Sequence, residues 1–101
     1  MESITPEAFK ELLSNTQTLW ILDTRSATEI SQFPLGFKVQ RLSLAEVQAG
    51  KLPHITKDVK LYLLCERGQI SELVGLYLEL AGFTEIYNLA GGLRALRQLE
   101  S

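Results

Sequence analysis

The sequence contains very little cysteine, since Cys65 is the single one among 101 residues. One cysteine excludes an internal disulfide and a multi-cysteine zinc site, and we expect a reducing, cytoplasmic compartment. Ten Lys and Arg stand against twelve Asp and Glu, and no basic run is long enough to follow a phosphate backbone. The chain also lacks an apolar run of membrane-spanning length and the pattern of a signal peptide. We therefore expect neither nucleic acid nor a membrane as a partner.

The composition is that of an ordinary globular domain. Hydrophobic residues make up 46% of the chain and charged residues 22%, which argues against disorder. A chain of this length buries roughly two-thirds of the surface that it exposes when unfolded. We predict one domain over residues 1–101.

Short apolar runs alternate with helix signals in the first half of the chain. Thr5-Pro6 is a typical helix start and predicts a helix over about Pro6 to Ser14. Two capping-box patterns, Ser26 to Glu29 and Ser43 to Glu46, predict two short helices. The segments between the predicted elements read as a turn or loop at Ser31 to Phe37 and an irregular stretch at Ala49 to Asp58. The predicted strands are Thr18 to Asp23, Phe37 to Leu42, Val59 to Cys65 and Thr84 to Leu89.

The second half of the chain adds two longer helices. A helix from Ser71 ends at Gly82, and Gly75 inside it indicates close packing on a sheet. Its apolar face is made by Leu73, Leu76, Tyr77 and Leu80, and a terminal helix after Gly91-Gly92 carries Leu93, Leu96 and Leu99. Strands that alternate with helices predict an α/β fold, a central parallel β-sheet flanked by helices on both faces.

Cys65 falls at the carboxyl end of the strongest predicted strand, just before a helix. Ligand sites of open α/β sheets lie at that edge. Backbone amides from Glu66 to Ser71 can curl around the sulfur, and Gly68 permits the backbone angles that such a loop needs. The helix N-terminus adds positive potential, and both effects favour thiolate over thiol. A cysteine that only packs as a small apolar side chain needs no such surroundings.

Three motifs in order resemble the rhodanese-like domains, the thiosulfate sulfurtransferase family. CERGQIS, from Cys65 to Ser71, is similar to the active-site loop of that family. Upstream, ILDTRSATEI resembles its strand followed by Asp-x-Arg and an acidic helix, and downstream LAGFTEIYNLAGGLRAL resembles its Gly-Phe, strand, Gly-Gly, helix ending. The resemblance covers nearly the whole chain.

The resemblance implies a single-domain rhodanese-like fold and a sulfurtransferase or sulfur carrier. Cys65 would be the catalytic nucleophile that carries sulfur as a persulfide, without a cofactor or metal. The implied donor is a small sulfane-sulfur compound such as thiosulfate, and the acceptor is an external thiol or a protein. The implied substrate-binding residues are Glu66, Arg67, Gly68, Gln69, Ile70 and Ser71, with the Ser71 hydroxyl both capping the helix and donating to the sulfur.

Several polar or aromatic residues outside the loop have structural interpretations. Asp23 and Arg25 are possible supporting residues: Asp23 can accept amides at a strand end, while Arg25 can pair with Glu29 or add positive field at the rim. We expect His54 at the surface and Trp20 in the core. Arg94 and Arg97 are read as solvated charges near a helix C-terminus.

Two other functions stay open. A cysteine phosphatase or arsenate reductase needs an arginine at the position of Ser71 to clamp an oxyanion, and is the less favoured reading. A non-catalytic rhodanese-fold protein-binding module is the stronger alternative. It is favoured by Ile70, where the family often has arginine, and by Glu66, whose charge opposes an anionic donor.

Overall fold

A parallel sheet forms the centre of the fold. The computed structural model describes residues 1–15, 19–25 and 38–99, and within them it contains five strands in the order β1-β5-β4-β2-β3. The strands are Glu2–Ile4 (β1), Trp20–Asp23 (β2), Lys38–Arg41 (β3), Leu61–Leu64 (β4) and Ile86–Leu89 (β5). All strand pairs are parallel. The strand that leads to the cysteine, β4, is therefore the middle one.

Helices cover both faces of this sheet. The described residues include Pro6–Asn15 (α1), Leu44–Gln48 (α2), Gln69–Leu80 (α3) and Gly92–Leu99 (α4). Phe9 of α1 and Leu93 and Leu96 of α4 share one core cluster with alternate residues of the strands. The second cluster, on the opposite face, includes side chains of α2 and α3 such as Val47, Val74 and Leu78. The predicted α/β fold with a central parallel sheet and helices on both faces is confirmed.

The continuous apolar run of β4 follows from its central position. All four of its side chains are buried, because Tyr62 and Leu64 point into the cluster of α1 and α4 while Leu61 and Leu63 point into that of α2 and α3. A strand covered on both faces has no polar side to alternate with the apolar one. This is why the segment reads as a strand although it lacks a period of two.

Two of the predicted helix boundaries have clear local causes. The capping box at α2 is present: the Ser43 hydroxyl accepts from the Glu46 amide, and the Glu46 carboxylate accepts from the Ser43 amide. These two hydrogen bonds, with the ion pair to Lys51, lower the pKa of Glu46 below its usual value. At the other boundary α3 ends at Leu80, and Gly82, just beyond the capping residue Ala81, has the φ of +102° that turns the chain away.

Helix α3 differs from the prediction in its start and in its buried face. It begins at Gln69 rather than Ser71, and the apolar stripe identified in the sequence is exposed, with Leu80 86% accessible. The residues of α3 that face inward are instead Ser71, Val74, Gly75 and Leu78. Small residues let the helix lie close to the sheet: a Cβ at Gly75 would meet Leu63 of β4 at 3.0 Å. The predicted close packing at Gly75 is thus confirmed.

Strand β1 was not predicted from the sequence. It is a three-residue edge strand that pairs only with β5, and its side chains are exposed or half-buried. The predicted helix at Ser26 to Glu29 and the predicted loop at Ser31 to Phe37 lie outside the described residues. No helix within the described ranges combines the length and the apolar character needed to cross a bilayer.

Candidate active site

Cys65 lies at the floor of a cavity at the carboxyl edge of the sheet. The residue follows β4 directly and is only 4% exposed. The cavity has a volume of about 550 Å³ and opens between the ends of β2 and β4, helix α2 and the start of α3. Its walls include Thr24, Arg25, Leu44, Arg67, Gln69 and Ile70. The thiol therefore faces a space large enough for a small substrate.

Two backbone amides and one hydroxyl lie within hydrogen-bond distance of the Cys65 sulfur. The amide of Gly68 lies 2.9 Å from Sγ, the amide of Ser71 3.4 Å and the hydroxyl oxygen of Ser71 3.2 Å. The two amides belong to the loop and the first turn of α3, where backbone N–H groups have no partner within the helix. Donors aimed at one sulfur, together with the positive end of a helix, stabilise negative charge there.

The conformation of Gly68 brings its amide to the sulfur. This residue precedes α3 with a φ of +88°, which a residue with a side chain rarely adopts. A Cβ would also lie 3.1 Å from the Gly91 nitrogen and the Leu89 oxygen. The loop is thus pressed against the turn between β5 and α4, and glycine is required at this position.

The start of α4 supports the cysteine loop from the other side. The amide of Leu93 donates to the carbonyl of Cys65, and the amide of Arg94 donates to that of Glu66, both at 2.9 Å. A Cβ at Gly92 would lie 2.6 Å from the Cys65 carbonyl oxygen, so the close approach depends on glycine there. The sequence pair Gly91-Gly92 therefore lets α4 hold the backbone of the loop.

The negative charge of Glu66 is compensated by an arginine of the last helix. Its carboxylate forms an ion pair with both terminal nitrogens of Arg97 on α4, and one terminal nitrogen of Arg25 lies 4.0 Å from it. Arg97 is exposed and lies in the last turn of α4, as expected, but its pairing with Glu66 of the cysteine loop was not predicted. Arg94, on the same helix, is exposed as expected.

Asp23 and Arg25 form a buried ion pair beside the cavity. The guanidinium binds the carboxylate through two parallel hydrogen bonds of 3.0 and 2.7 Å, and the Arg25 amide also donates to Asp23 at 3.0 Å. Asp23 accepts an amide at the strand end, as the sequence suggests. The pairing of Arg25 with Glu29 lies outside the described residues. Arg25 itself lines the cavity.

The remaining residues of the loop form the cavity wall. Glu66, Arg67, Gln69 and Ile70 all line it, and Ile70 presents an apolar side chain that is 44% exposed. His54 is exposed and its backbone pairs with the Gln40 side chain. Trp20 is half-buried against the second core cluster.

Sequence reasoning missed Asn88. This residue of β5 is 5% exposed, donates through Nδ2 to the Gly68 carbonyl at 3.0 Å and accepts the Ser71 hydroxyl at 2.5 Å. Ser71 is the third residue of α3 rather than its cap, so the predicted capping role of its hydroxyl is wrong. Asn88 stands two residues after Ile86, which faces the same side of the strand, and that inward polar position was the available signal.

Comparison with known proteins agrees with this architecture. Residues 5–99 match the family model described as "Rhodanese-like domain". Among solved structures, a rhodanese homologue from Thermus thermophilus is 32% identical over 94% of this chain and 100% of that one, with a TM-score of 0.70. A rhodanese-like domain protein from Staphylococcus aureus is 26% identical over 95% of this chain and 91% of that one, with a TM-score of 0.80.

A third similar structure is a larger enzyme. The chain is 26% identical to part of an NAD-dependent persulfide reductase from A. fulgidus, with a TM-score of 0.69, covering 92% of this chain and 15% of that one. None of the curated proteins compared with the chain matches it. Since the family model spans nearly all of the sequence, the chain belongs to the rhodanese-like domain family.

Proposed function

We propose that the chain is a sulfurtransferase or sulfur carrier that moves sulfane sulfur through a persulfide on Cys65. The observation that carries this proposal is the convergence of the Gly68 amide, the Ser71 amide and the Ser71 hydroxyl on one sulfur at the floor of a cavity. A cysteine that serves only the core has no use for two amides and a hydroxyl directed at its sulfur. The persulfide reductase to which the chain is similar supports the same chemistry.

Sulfur uptake begins with the Cys65 thiolate. Its electron pair attacks the outer, sulfane sulfur of a donor such as thiosulfate, a new S–S bond forms, and the bond between the two sulfurs of the donor breaks. The electron pair of the broken bond leaves with sulfite. The product is a persulfide anion, and the donors of the loop and the N-terminus of α3 stabilise its charge.

Sulfur release is the reverse kind of displacement. An acceptor thiolate, or cyanide, attacks the outer sulfur of the persulfide, and the electron pair of the S–S bond returns to Cys65 as thiolate. Since the chain has a single cysteine, an acceptor thiol lies outside these 101 residues. The partners we propose are therefore a small sulfane-sulfur donor and an external thiol or protein acceptor.

The charges around the cavity are compatible with an anionic donor. Glu66 adds a negative charge next to the nucleophile, but its ion pair with Arg97 offsets it, while the charge of Arg25 is balanced by Asp23. Arg67 is exposed and lines the cavity, where it adds positive charge at the entrance. Opposite charge at a cleft entrance raises the local concentration of an anionic substrate.

A protein-binding function has one observation in its favour. Helix α3 exposes Leu73, Leu76, Tyr77 and Leu80, and the stripe continues into Ile70 at the cavity wall. A module that only binds does not need donors around Cys65, so we rank it second. We rank a phosphatase third, because the fully buried Ser71 stands where an arginine would clamp the oxyanion.

Mass spectrometry of the intact protein tests the proposal. After incubation with thiosulfate, or with a polysulfide or a persulfide donor, we expect the mass of one added sulfur atom, which a thiol reductant removes. The matched control is Cys65→Ser, which keeps the size of the side chain and is expected to remain unmodified. Absence of an adduct with all three donors would favour the binding module, and phosphate release from an aryl phosphate would favour the phosphatase.

A further inference from the structure

Asn88 is a polar side chain at the end of an otherwise apolar strand face. It is 5% exposed, and it pairs in register with Leu63 of the central strand. An amide buried to this degree is costly unless its oxygen and its nitrogen both have hydrogen-bond partners. Its two partners, Ser71 and the carbonyl of Gly68, both belong to the segment that surrounds the Cys65 sulfur.

The bond to Gly68 determines which way the amide points. A backbone carbonyl can only accept, so the NH₂ end of Asn88 faces Gly68, where the N···O distance is 3.0 Å. The amide oxygen consequently faces Ser71. An amide oxygen carries no hydrogen, and the short contact between the two residues must therefore contain the Ser71 hydroxyl proton.

Ser71 has one hydroxyl proton and two acceptors within reach, the Asn88 oxygen and the Cys65 sulfur at 3.2 Å. While Cys65 is a thiol, its S–H can donate to the Ser71 oxygen, and Ser71 donates onward to Asn88. When the thiol loses its proton to solvent, the sulfur becomes the stronger acceptor. The hydroxyl then turns towards the sulfur and gives up its bond to Asn88.

We propose that Asn88 is a positioning residue that competes with the Cys65 sulfur for the Ser71 hydroxyl and thereby sets the balance between thiol and thiolate. Asn88 thus favours the thiol over the free thiolate. The inference rests on the proposed role of Cys65 as the reacting thiol.

The existing charged groups near the site are left unaltered by the variants proposed below, of which only Asn88→Asp adds a charge of its own. Arg25 and Asp23 form their buried pair at the end of β2, and the Glu66 carboxylate pairs with Arg97 of α4. Arg67 of the loop and Glu72 of α3 are exposed. Since none of these groups changes, their influence cancels when variants at Asn88 are compared with the parent chain.

The test is the pH at which alkylation of Cys65 by iodoacetamide reaches half its maximal rate. Asn88→Leu removes the competing acceptor at similar size. We expect the midpoint to fall by about 0.7 pH units, which corresponds to one hydrogen bond of about 1 kcal/mol at about 1.36 kcal/mol per unit. Asn88→Asp keeps the acceptor and adds negative charge, and we expect its midpoint to rise. The added charge alone accounts for a rise in Asn88→Asp, which therefore checks that the assay responds to position 88. A midpoint that is unchanged or raised in Asn88→Leu would overturn the proposal.

Repeating the measurement in the Ser71→Ala background shows how much of the shift in the midpoint acts through the Ser71 hydroxyl. There, Asn88→Leu changes only the bond to the Gly68 carbonyl, and we expect the fall in the midpoint to disappear. An equal fall in both backgrounds would contradict the proposal. If thermal unfolding shows that Asn88→Leu does not fold, Asn88→Ala replaces it with the same expectation. The assay contains no sulfur donor, so failure of persulfide formation and failure of this inference are separate results.

Discussion

Replacing Gly68 by alanine tests whether the loop geometry holds the site together. The φ of +88° costs a residue with a Cβ about 1–2 kcal/mol. In addition, the new Cβ would lie 3.1 Å from the Gly91 nitrogen and the Leu89 oxygen, backbone atoms that cannot rotate away. Either the loop or the turn between β5 and α4 must shift, and we assign this crowding about 1 kcal/mol more.

Gly50 is a matched control for this change. It has a φ of +98°, but a Cβ there would find no atom within 4 Å. Gly50→Ala therefore measures the conformational cost alone, and Gly68→Ala measures that cost plus the crowding. We expect Gly68→Ala to unfold at a temperature about 4–8 °C below Gly50→Ala, the shift for about 1 kcal/mol in a domain of this size.

The same two variants separate stability from reactivity. Because the Gly68 amide donates to the Cys65 sulfur at 2.9 Å, a displaced loop stabilises the thiolate less well. We expect iodoacetamide to alkylate Cys65 more slowly in Gly68→Ala than in the parent chain at neutral pH, and at the parent rate in Gly50→Ala. Equal melting temperatures together with equal alkylation rates in the two variants would refute the reasoning from the loop geometry.

Two further predictions concern charges. Arg97→Gln removes the cation that pairs with Glu66, and we expect persulfide formation from thiosulfate to slow by roughly two- to fivefold at low salt. Arg94→Gln, on the same helix, is the control and should leave the rate unchanged. An equal effect of both variants would instead indicate a general effect of charge. The hydrogen bond that Tyr87 donates to Glu85 raises the pKa of Tyr87 to about 12. Because the phenol of the unfolded chain already ionises at about pH 10, the free energy of unfolding falls as the pH rises from about 10 towards 12. Glu85→Gln should lower the Tyr87 pKa in an ultraviolet titration and weaken that pH dependence, and an unchanged titration would contradict the assignment.

The central part of the fold could be predicted because its signals are local. The apolar run of β4 and the capping box at Ser43 each show in a few consecutive residues what the backbone does. Strand β1 has no such signal, since its three residues are exposed or half-buried and become a strand only by pairing with β5, more than 80 positions later in the chain. Its prediction would have required the tertiary structure.

The exposed face of α3 shows where periodicity is ambiguous. The helix carries apolar residues on two arcs, one through Leu73, Leu76 and Leu80 and one through Val74 and Leu78. Hydrophobic spacing alone does not say which arc packs inward. The small residues Ser71 and Gly75 decide it, because only their side of the helix can approach the sheet closely.

The candidate site likewise has a part that could be predicted from the sequence and a part that could not. The spacing from Cys65 to Ser71 placed the donors near the sulfur, because a strand, a short loop and a helix start determine one another over seven residues. Arg97 and Asn88 reach the site from elements that are distant in sequence, and no local pattern marks them as neighbours of the cysteine.

Arg97 changes how the unusual glutamate of the loop, Glu66, should be interpreted. Glu66 on its own predicts repulsion of an anionic donor, but in the fold its carboxylate belongs to a pair with Arg97. The charge that a substrate meets is therefore a property of the loop and α4 together. An arginine on the last helix thus offsets the glutamate that follows the cysteine in this loop, and substitutions at the two positions should be interpreted as one change.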